Sequence, residues 1–432
     1  MHARISRWVA VEGRGHHVYN TGFPGDCKPD VPAKLIGWLS HLGMVQMRTV
    51  IKNAHVVNPS SEFDGDIVIE GRLIKDVGPT CEPSPSDTVI EVQGNMALPG
   101  FIDVHIQGGG GSDVLDGTPE AVNNVSRTCA KFGVTGFLAT TVYRVGDDNG
   151  HLGNLVSCSR ERLGGAKLLG IHIEGPFVSR EKIGMISPSS VTDPSIELFD
   201  QILKECGGQL RMMTIAPELD GAWPIVERML AAGVIPSFGH SSASYEQALY
   251  AFKGGVSHVT HAFNAMPSMH HRSPGPIPAI LESPNVTAQI ISDGVHIHPA
   301  MVRLLASSLG QERCVIITDG VSPLGLPDGE YEYDGRKMTV SEGVARYFNC
   351  TLIGTALGLS ELGRRFLSFT GWDIKALAKV ASWNLARVLG IEERKGSIEA
   401  GKDADIVILD PDLTVQTTLV EGRVAFAKSG LN

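Results

Sequence analysis

Four residues able to bind a metal or move a proton stand in the stretches "IHIEGPF", "FGHSSAS", "VTHAFNAM" and "ITDG": Glu174, His240, His261 and Asp319. Glu174, His240 and Asp319 close apolar β-rich runs, and His261 sits on one. Two imidazoles and one carboxylate make a three-ligand site with an open position for water, the set that catalytic zinc requires. An ion held this way acidifies a water and polarises a carbonyl. A carboxylate just outside the coordination sphere takes the water's proton and later hands it to a leaving amine. Taken singly, a strand-end histidine is more often a hydrogen-bonded structural group, and Asp-Gly is more often a turn. Four such residues at the ends of four predicted strands of one barrel reverse that balance.

A fifth stretch, "FIDVHIQGG" over 101–109, resembles half of a metal site. Strand side chains alternate with period two, so His105 and Gln107 share a face. Two histidines there would be a ready pair of ligands, but a neutral glutamine amide binds transition metals poorly.

These residues need a scaffold that brings strand ends together. From residue 98 the chain alternates apolar β-rich runs with helical patterns, the rhythm of a parallel α/β barrel. The predicted strands are "LPGFIDVHI", "VTGFLATTV", "LLGIHIEG", "RMMTIAP", "VIPSFGH", "SHVTHAFN", "TAQIISDG" and "CVIITDG". Helix-like stretches such as "TPEAVNNVSRTCAKFG" and "SYEQALYAFKGG" lie between them. The fold class expected is α/β, a (β/α)8 TIM-like barrel with a small β-sandwich domain built from the N- and C-terminal segments. The boundaries expected are 47–97 and 397–432 for the small domain and 98–396 for the barrel. "GEYEYDGRKMTVSEGVARY" reads as a hairpin inserted after the eighth strand. Residues 1–46 lack both sustained periodicity and the apolar centre of a secretory signal, so the expectation is either a stretch preceding a biological start at Met44 or Met47 or an unstructured N-terminal tail.

Composition excludes several classes. Hydrophobic residues make up 42% and charged residues 19%, ordinary for a globular chain. A formal charge of −10 argues against nucleic acid or an anionic membrane as partner, while leaving room for a local basic pocket. No apolar run approaches transmembrane length. Cysteines 27, 81, 129, 158, 206, 314 and 350 are scattered, odd in number and never in a CxxC pair. That pattern suits reduced thiols in a cytoplasmic protein.

The chain resembles the amidohydrolase superfamily and, within it, the N-acetylglucosamine-6-phosphate deacetylase family. The resemblance runs from about residue 47 to 432, through "LPGFIDVH", "GIHIEGPF", "FGHSSAS", "THAFNAMPSM", "ISDGVHIHP", "ITDG" and "TLIGTALGL" in order. "LGIEERKGSIEAGKDADIVILD" is shared across amidohydrolases and speaks only to the superfamily. "HAFNAM" and "DGVHIHP" are particular to the deacetylases. The resemblance implies that Glu174, His240 and His261 bind the catalytic metal and that Asp319 is the general acid/base. It implies that Asn264, Ala265 and Arg272 face the sugar phosphate, with Arg272 serving the neighbouring subunit's site in a homodimer. His296 matches a histidine that contacts the substrate. His172, His258, His270, His271 and His298 receive no such role.

Two departures from the family pattern stand out. Members carrying His-x-His on the first strand can bind two metals, and others work with one. With His105 and Gln107, the expectation is one tightly held divalent ion, most suitably zinc, with iron or another ion also compatible with nitrogen and oxygen ligands. Gln107 then hydrogen-bonds the water or the substrate, and a weak second ion between His105 and Asp319 stays open. The second departure is Ile186, which stands twelve residues past Glu174 where the family usually has a substrate-contacting histidine. Isoleucine donates no hydrogen bond, and losing such a donor costs on the order of 3 kcal/mol of transition-state stabilisation. Either the metal acts unaided on the carbonyl, or Lys182 or another residue compensates, or the substrate differs. The readings left are a deacetylase of N-acetylglucosamine 6-phosphate, an amidohydrolase acting on another N-acylated amino-sugar phosphate or a cyclic amide, and a non-catalytic barrel.

Overall fold

The eight apolar runs become eight parallel strands paired in sequence order. They are β1 (Phe101–Ile106), β2 (Val134–Thr141), β3 (Lys167–Glu174), β4 (Leu210–Ile215), β5 (Ile235–Phe238), β6 (His258–Val259), β7 (Thr287–Ile290) and β8 (Cys314–Ile316). The computed structural model describes residues 48–333 and 335–429, so the extension expected over 1–46 lies outside the described residues. β1 and β2 are buried along their whole length. Strands covered on both faces read as continuous apolar runs rather than as alternation, which is why they were legible. Backbone bonds at the strand ends close the barrel. Asp319 N–H donates to the His105 carbonyl at 2.9 Å, and Gln107 N–H donates to the Gly320 carbonyl at 2.8 Å. The closing seam therefore sets His105, Gln107 and Asp319 side by side.

Helices fill the intervals as their capping residues dictate. Thr118 accepts a hydrogen bond from Ala121 N–H at 3.2 Å and starts the helix Pro119–Lys131, which buries Val122, Val125 and Cys129. Ser244 and Gln247 form a reciprocal capping box at the start of Tyr245–Lys253.

The terminal segments build one further sheet. Its order is Arg423–Ala427, Val415–Val420, Ile406–Leu409, Met96–Pro99, Arg48–Val57, Glu62–Glu70 and Leu73–Gly78, with Thr88–Glu91 also paired to Arg48–Val57. It encloses a core of its own that includes Ile51, Ile67, Ile69, Ile406 and Leu419. Asn58 joins the two ends of the chain. Its amide donates to the Ile398 carbonyl at 3.1 Å and accepts from Ile398 N–H at 2.7 Å, both buried. Asn58→Ala strands both backbone groups of Ile398. We expect about 2–4 kcal/mol of lost stability from two unsatisfied buried groups, read from urea unfolding midpoints.

The segment after β8 is larger than a hairpin. Gly329–Tyr333, Arg336–Ser341, Val344–Tyr347 and Leu352–Thr355 form a four-stranded antiparallel sheet. The fourth strand returns because Thr355 N–H donates to the Asp319 carbonyl at 2.9 Å and Val321 N–H to the Thr355 carbonyl at 3.1 Å. Local pattern carries no trace of those bonds.

Candidate metal centre and its cavity

The C-terminal ends of β3, β5 and β6 bring three ligand atoms to one point. Glu174 Oε1 lies 3.0 Å from His240 Nε2 and 3.0 Å from His261 Nε2, and the two imidazole nitrogens are 3.0 Å apart. All three residues are buried. Among the described residues this is the one cluster of three or more such side chains spaced to share an ion. His240 Nδ1 donates to the Lys182 carbonyl at 2.7 Å, which leaves its Nε2 lone pair facing Glu174 and His261. Burial pushes His261 below its ordinary pKa and keeps it neutral. Burial alone would push the Glu174 carboxyl up, but the neighbouring charge of His105 outweighs it and holds the group well below the usual range. An ionised carboxylate and neutral imidazoles are the forms a divalent ion binds. The set fits one ion.

Asp319 stands beside this trio on the closing seam. Its Oδ1 is 3.2 Å from His105 Nε2 and 3.4 Å from Gln107 Nε2. Burial would raise its carboxyl, but His105 outweighs burial and holds it below the ordinary value. His105 Nδ1 meets the Gln289 side-chain oxygen at 3.2 Å, and that same oxygen accepts from His261 N–H at 3.1 Å. Gln289 thus braces β1 against β6, a residue that sequence reasoning missed because a strand glutamine carries no motif.

The backbone turns sharply where these side chains emerge. His240 (φ 48°), His261 (φ 27°) and Asp319 (φ 49°) all occupy the left-handed region, as do Phe263 (φ 75°) and Ala265 (φ 51°) nearby. Non-glycine residues rarely sit there, at a cost of about 1–3 kcal/mol each. That strain gathers around the metal centre. Gly184 (φ +57°) approaches the same point, and a Cβ on it would lie 3.3 Å from His240 Cε1.

A cavity of about 350 Å³ opens over the trio. Asn264, Ala265, His296 and Asp319 line it together with the three ligand residues. His296 Nδ1 donates to the buried Asp293 carboxylate at 2.6 Å, which fixes its ring. The rest of the lining, Gly184, Met185 and residues 350–353, was not anticipated. It comes from the β3–α loop and from the returning strand of the inserted sheet. Ile186 does not face the cavity, for it packs with Val142, Val178 and Val191 in a small core cluster. Lys182 contributes its carbonyl to His240 and is not among the lining residues.

Arg272 is exposed, with Nη1 2.7 Å from His271 Nε2, and does not line its own chain's cavity. Among the described residues that lining contains neither lysine nor arginine. The histidines left without a role are structural where buried. His172 binds Thr214 at 2.8 Å and the Val104 carbonyl at 3.0 Å, and His258 binds Thr287 at 2.6 Å. Burial pushes both down to about 3, so they stay neutral.

The sequence model of the amidohydrolase family matches residues 96–425. The chain is similar to the N-acetylglucosamine-6-phosphate deacetylase of Bacillus subtilis (strain 168), 35% identical over 397 residues that cover 90% of this chain and 96% of the relative. It is 32% identical to an N-acetylgalactosamine-6-phosphate deacetylase of Escherichia coli O157:H7, over 82% of this chain and 94% of that one. The structure superposes with a TM-score of 0.81 on an aspartate-to-alanine mutant of the Mycobacterium smegmatis N-acetyl-D-glucosamine-6-phosphate deacetylase in complex with N-acetyl-D-glucosamine-6-phosphate. That pair is 29% identical and covers 88% of this chain and 100% of the other.

Proposed function

The chain belongs to the amidohydrolase family, and from that premise we infer that it hydrolyses the N-acetyl group of N-acetylglucosamine 6-phosphate to give glucosamine 6-phosphate and acetate. One observation carries this most directly. Glu174, His240 and His261 converge beside Asp319 on the wall of a cavity large enough for a small substrate, about 350 Å³. Acetate release from phosphorylated and unphosphorylated N-acetyl amino sugars tests it. A second reading, the galactosamine epimer, is favoured by the 32% identical relative, and the same substrate panel separates the two.

The residues then take the following parts. Glu174, His240 and His261 would hold one divalent ion, for which zinc is our assignment; when bound it supplies Lewis acidity to the amide carbonyl and to a water. Asp319 accepts the proton of the attacking water and returns it to the departing nitrogen. Gln107 donates to Asp319 Oδ1 and orients it, and His105 faces the same oxygen. His296, braced by Asp293, contacts the sugar, and Asn264 and Ala265 border its phosphate. The described cysteines are all unpaired, which supports our placing the enzyme in the cytoplasm. Among the described residues no helix is long and apolar enough to cross a membrane.

Among the described residues the cavity lining offers the phosphate no lysine or arginine. The chain's net charge of −10 repels a dianion, so a local donor must provide the attraction. Our reading is that Arg272 of one subunit completes the site of its partner in a homodimer. A planar guanidinium suits phosphate oxygens, and losing such a charge-assisted contact costs about 1.5–3 kcal/mol. Arg272→Ala should raise KM for the 6-phosphorylated substrate roughly ten- to a hundredfold while barely changing that for its unphosphorylated analogue. Mixing Arg272→Ala with Asp319→Asn subunits should regenerate part of the activity. An unchanged preference for the phosphorylated substrate removes Arg272 from the site.

A further inference from the structure

The cavity lining divides into two chemical classes. Asn264 and His296 are polar and suit a sugar, whereas Met185, Leu352 and Ile353 are apolar. A carbonyl carbon undergoing amide hydrolysis has three substituents. Its oxygen turns to the ligand trio and its nitrogen leads to the sugar, so the acyl chain takes the remaining direction. Apolar lining is the matching surface for that chain.

Met185 is the apolar residue tied to the acid/base group. Its sulfur lies 3.8 Å from Gln107 Nε2, and that same nitrogen is 3.4 Å from Asp319 Oδ1. The side chain is backed by Val321, Ile353 and Tyr347 of the inserted sheet's core, which holds it in place. Chain direction selects it over its neighbour. Gly184 turns in the left-handed region and sends Met185 to the cavity, while Ile186 packs away into a different cluster.

We propose that Met185 is a specificity-determining residue that sets the size of the N-acyl group the enzyme removes, restricting it to a short chain such as acetyl. The proposal rests on the deacylase reading given above. Truncation to alanine removes the three outer heavy atoms of the side chain and opens room for a longer acyl chain where the methyl of acetyl would pack. A bulkier side chain closes that room.

The test is a competition assay on full-length enzyme with N-formyl, N-acetyl, N-propionyl and N-butyryl glucosamine 6-phosphate present together. Relative kcat/KM values from one mixture do not depend on how much of a variant is folded. Met185→Ala should shift the propionyl-to-acetyl and butyryl-to-acetyl ratios upward by at least about tenfold, the discrimination a methylene or two commands in an apolar pocket. Met185→Phe should shift preference the other way, toward formyl. Ratios within about twofold of wild type in both variants, where a pocket-forming residue commands tenfold or more, would overturn the role of Met185 while leaving the deacylase reading intact. A wild-type enzyme that releases no carboxylate from any of the four substrates overturns the reading itself, and the proposal with it.

Discussion

His240→Ala and His261→Ala should each abolish bound metal and turnover together. In the proposed centre Glu174, His240 and His261 converge at 3.0 Å, and each histidine would be one of three ligands. Removing either leaves Glu174 and a single imidazole, an under-coordinated pair whose ion exchanges into buffer. Among the described residues no other side chain is spaced to replace the lost imidazole, so the loss is not repaired locally. Lewis-acid stabilisation of several kcal/mol disappears with the ion, about a thousandfold or more in turnover. Elemental analysis after dialysis should give about one divalent equivalent per wild-type chain and close to none for either variant. Two dialysis-resistant equivalents in the wild type would overturn the one-metal assignment. A variant that keeps its full complement would remove that histidine from the ligand set.

Asp319→Asn should separate chemistry from metal binding. Asparagine keeps the shape of the side chain and its backbone bond to His105 at the barrel seam, which is 2.9 Å long. It cannot accept the water's proton at neutral pH or return it to nitrogen. Turnover should fall at least about a hundredfold, the lower end of what a positioned acid/base group contributes. Metal content should stay at the wild-type value, since Asp319 is not one of the three clustered ligands. Near-normal turnover would pass the proton transfer to another group, with His105, 3.2 Å away, the first to test.

The candidate metal centre was legible because its parts obey local rules. Strands β1 to β8 are apolar runs of strand length separated by helical periodicity, and parallel barrels gather polar residues at strand C-termini. Glu174, His240, His261 and Asp319 sit at those termini, so a reader who finds the strands finds the site. Gln107 was visible for the same reason, as period two places it beside His105. The inserted sheet was half legible. Residues 329–347 read as a hairpin where the structure has three strands, and Leu352–Thr355 lay beyond that reading because it is held by long-range bonds to Asp319 and Val321.

Sequence alone pointed to the barrel, to a small sheet made of the terminal segments, and to Glu174, His240, His261 and Asp319 as the candidates for metal binding and proton transfer. These follow from hydrophobic period and residue type, which are properties of short stretches. Tertiary structure alone decided how the site is shaped. It put His240, His261 and Asp319 into left-handed backbone, which non-glycine residues adopt uncommonly even though histidine and aspartate tolerate it better than most. It turned Met185 into the cavity and Ile186 out of it, so the position that looked like a missing histidine proved to be core. It also left Arg272 outside its own cavity, on the surface. Each of these depends on which distant segments meet, and a loop's direction is set by the surface it packs on rather than by its own residues.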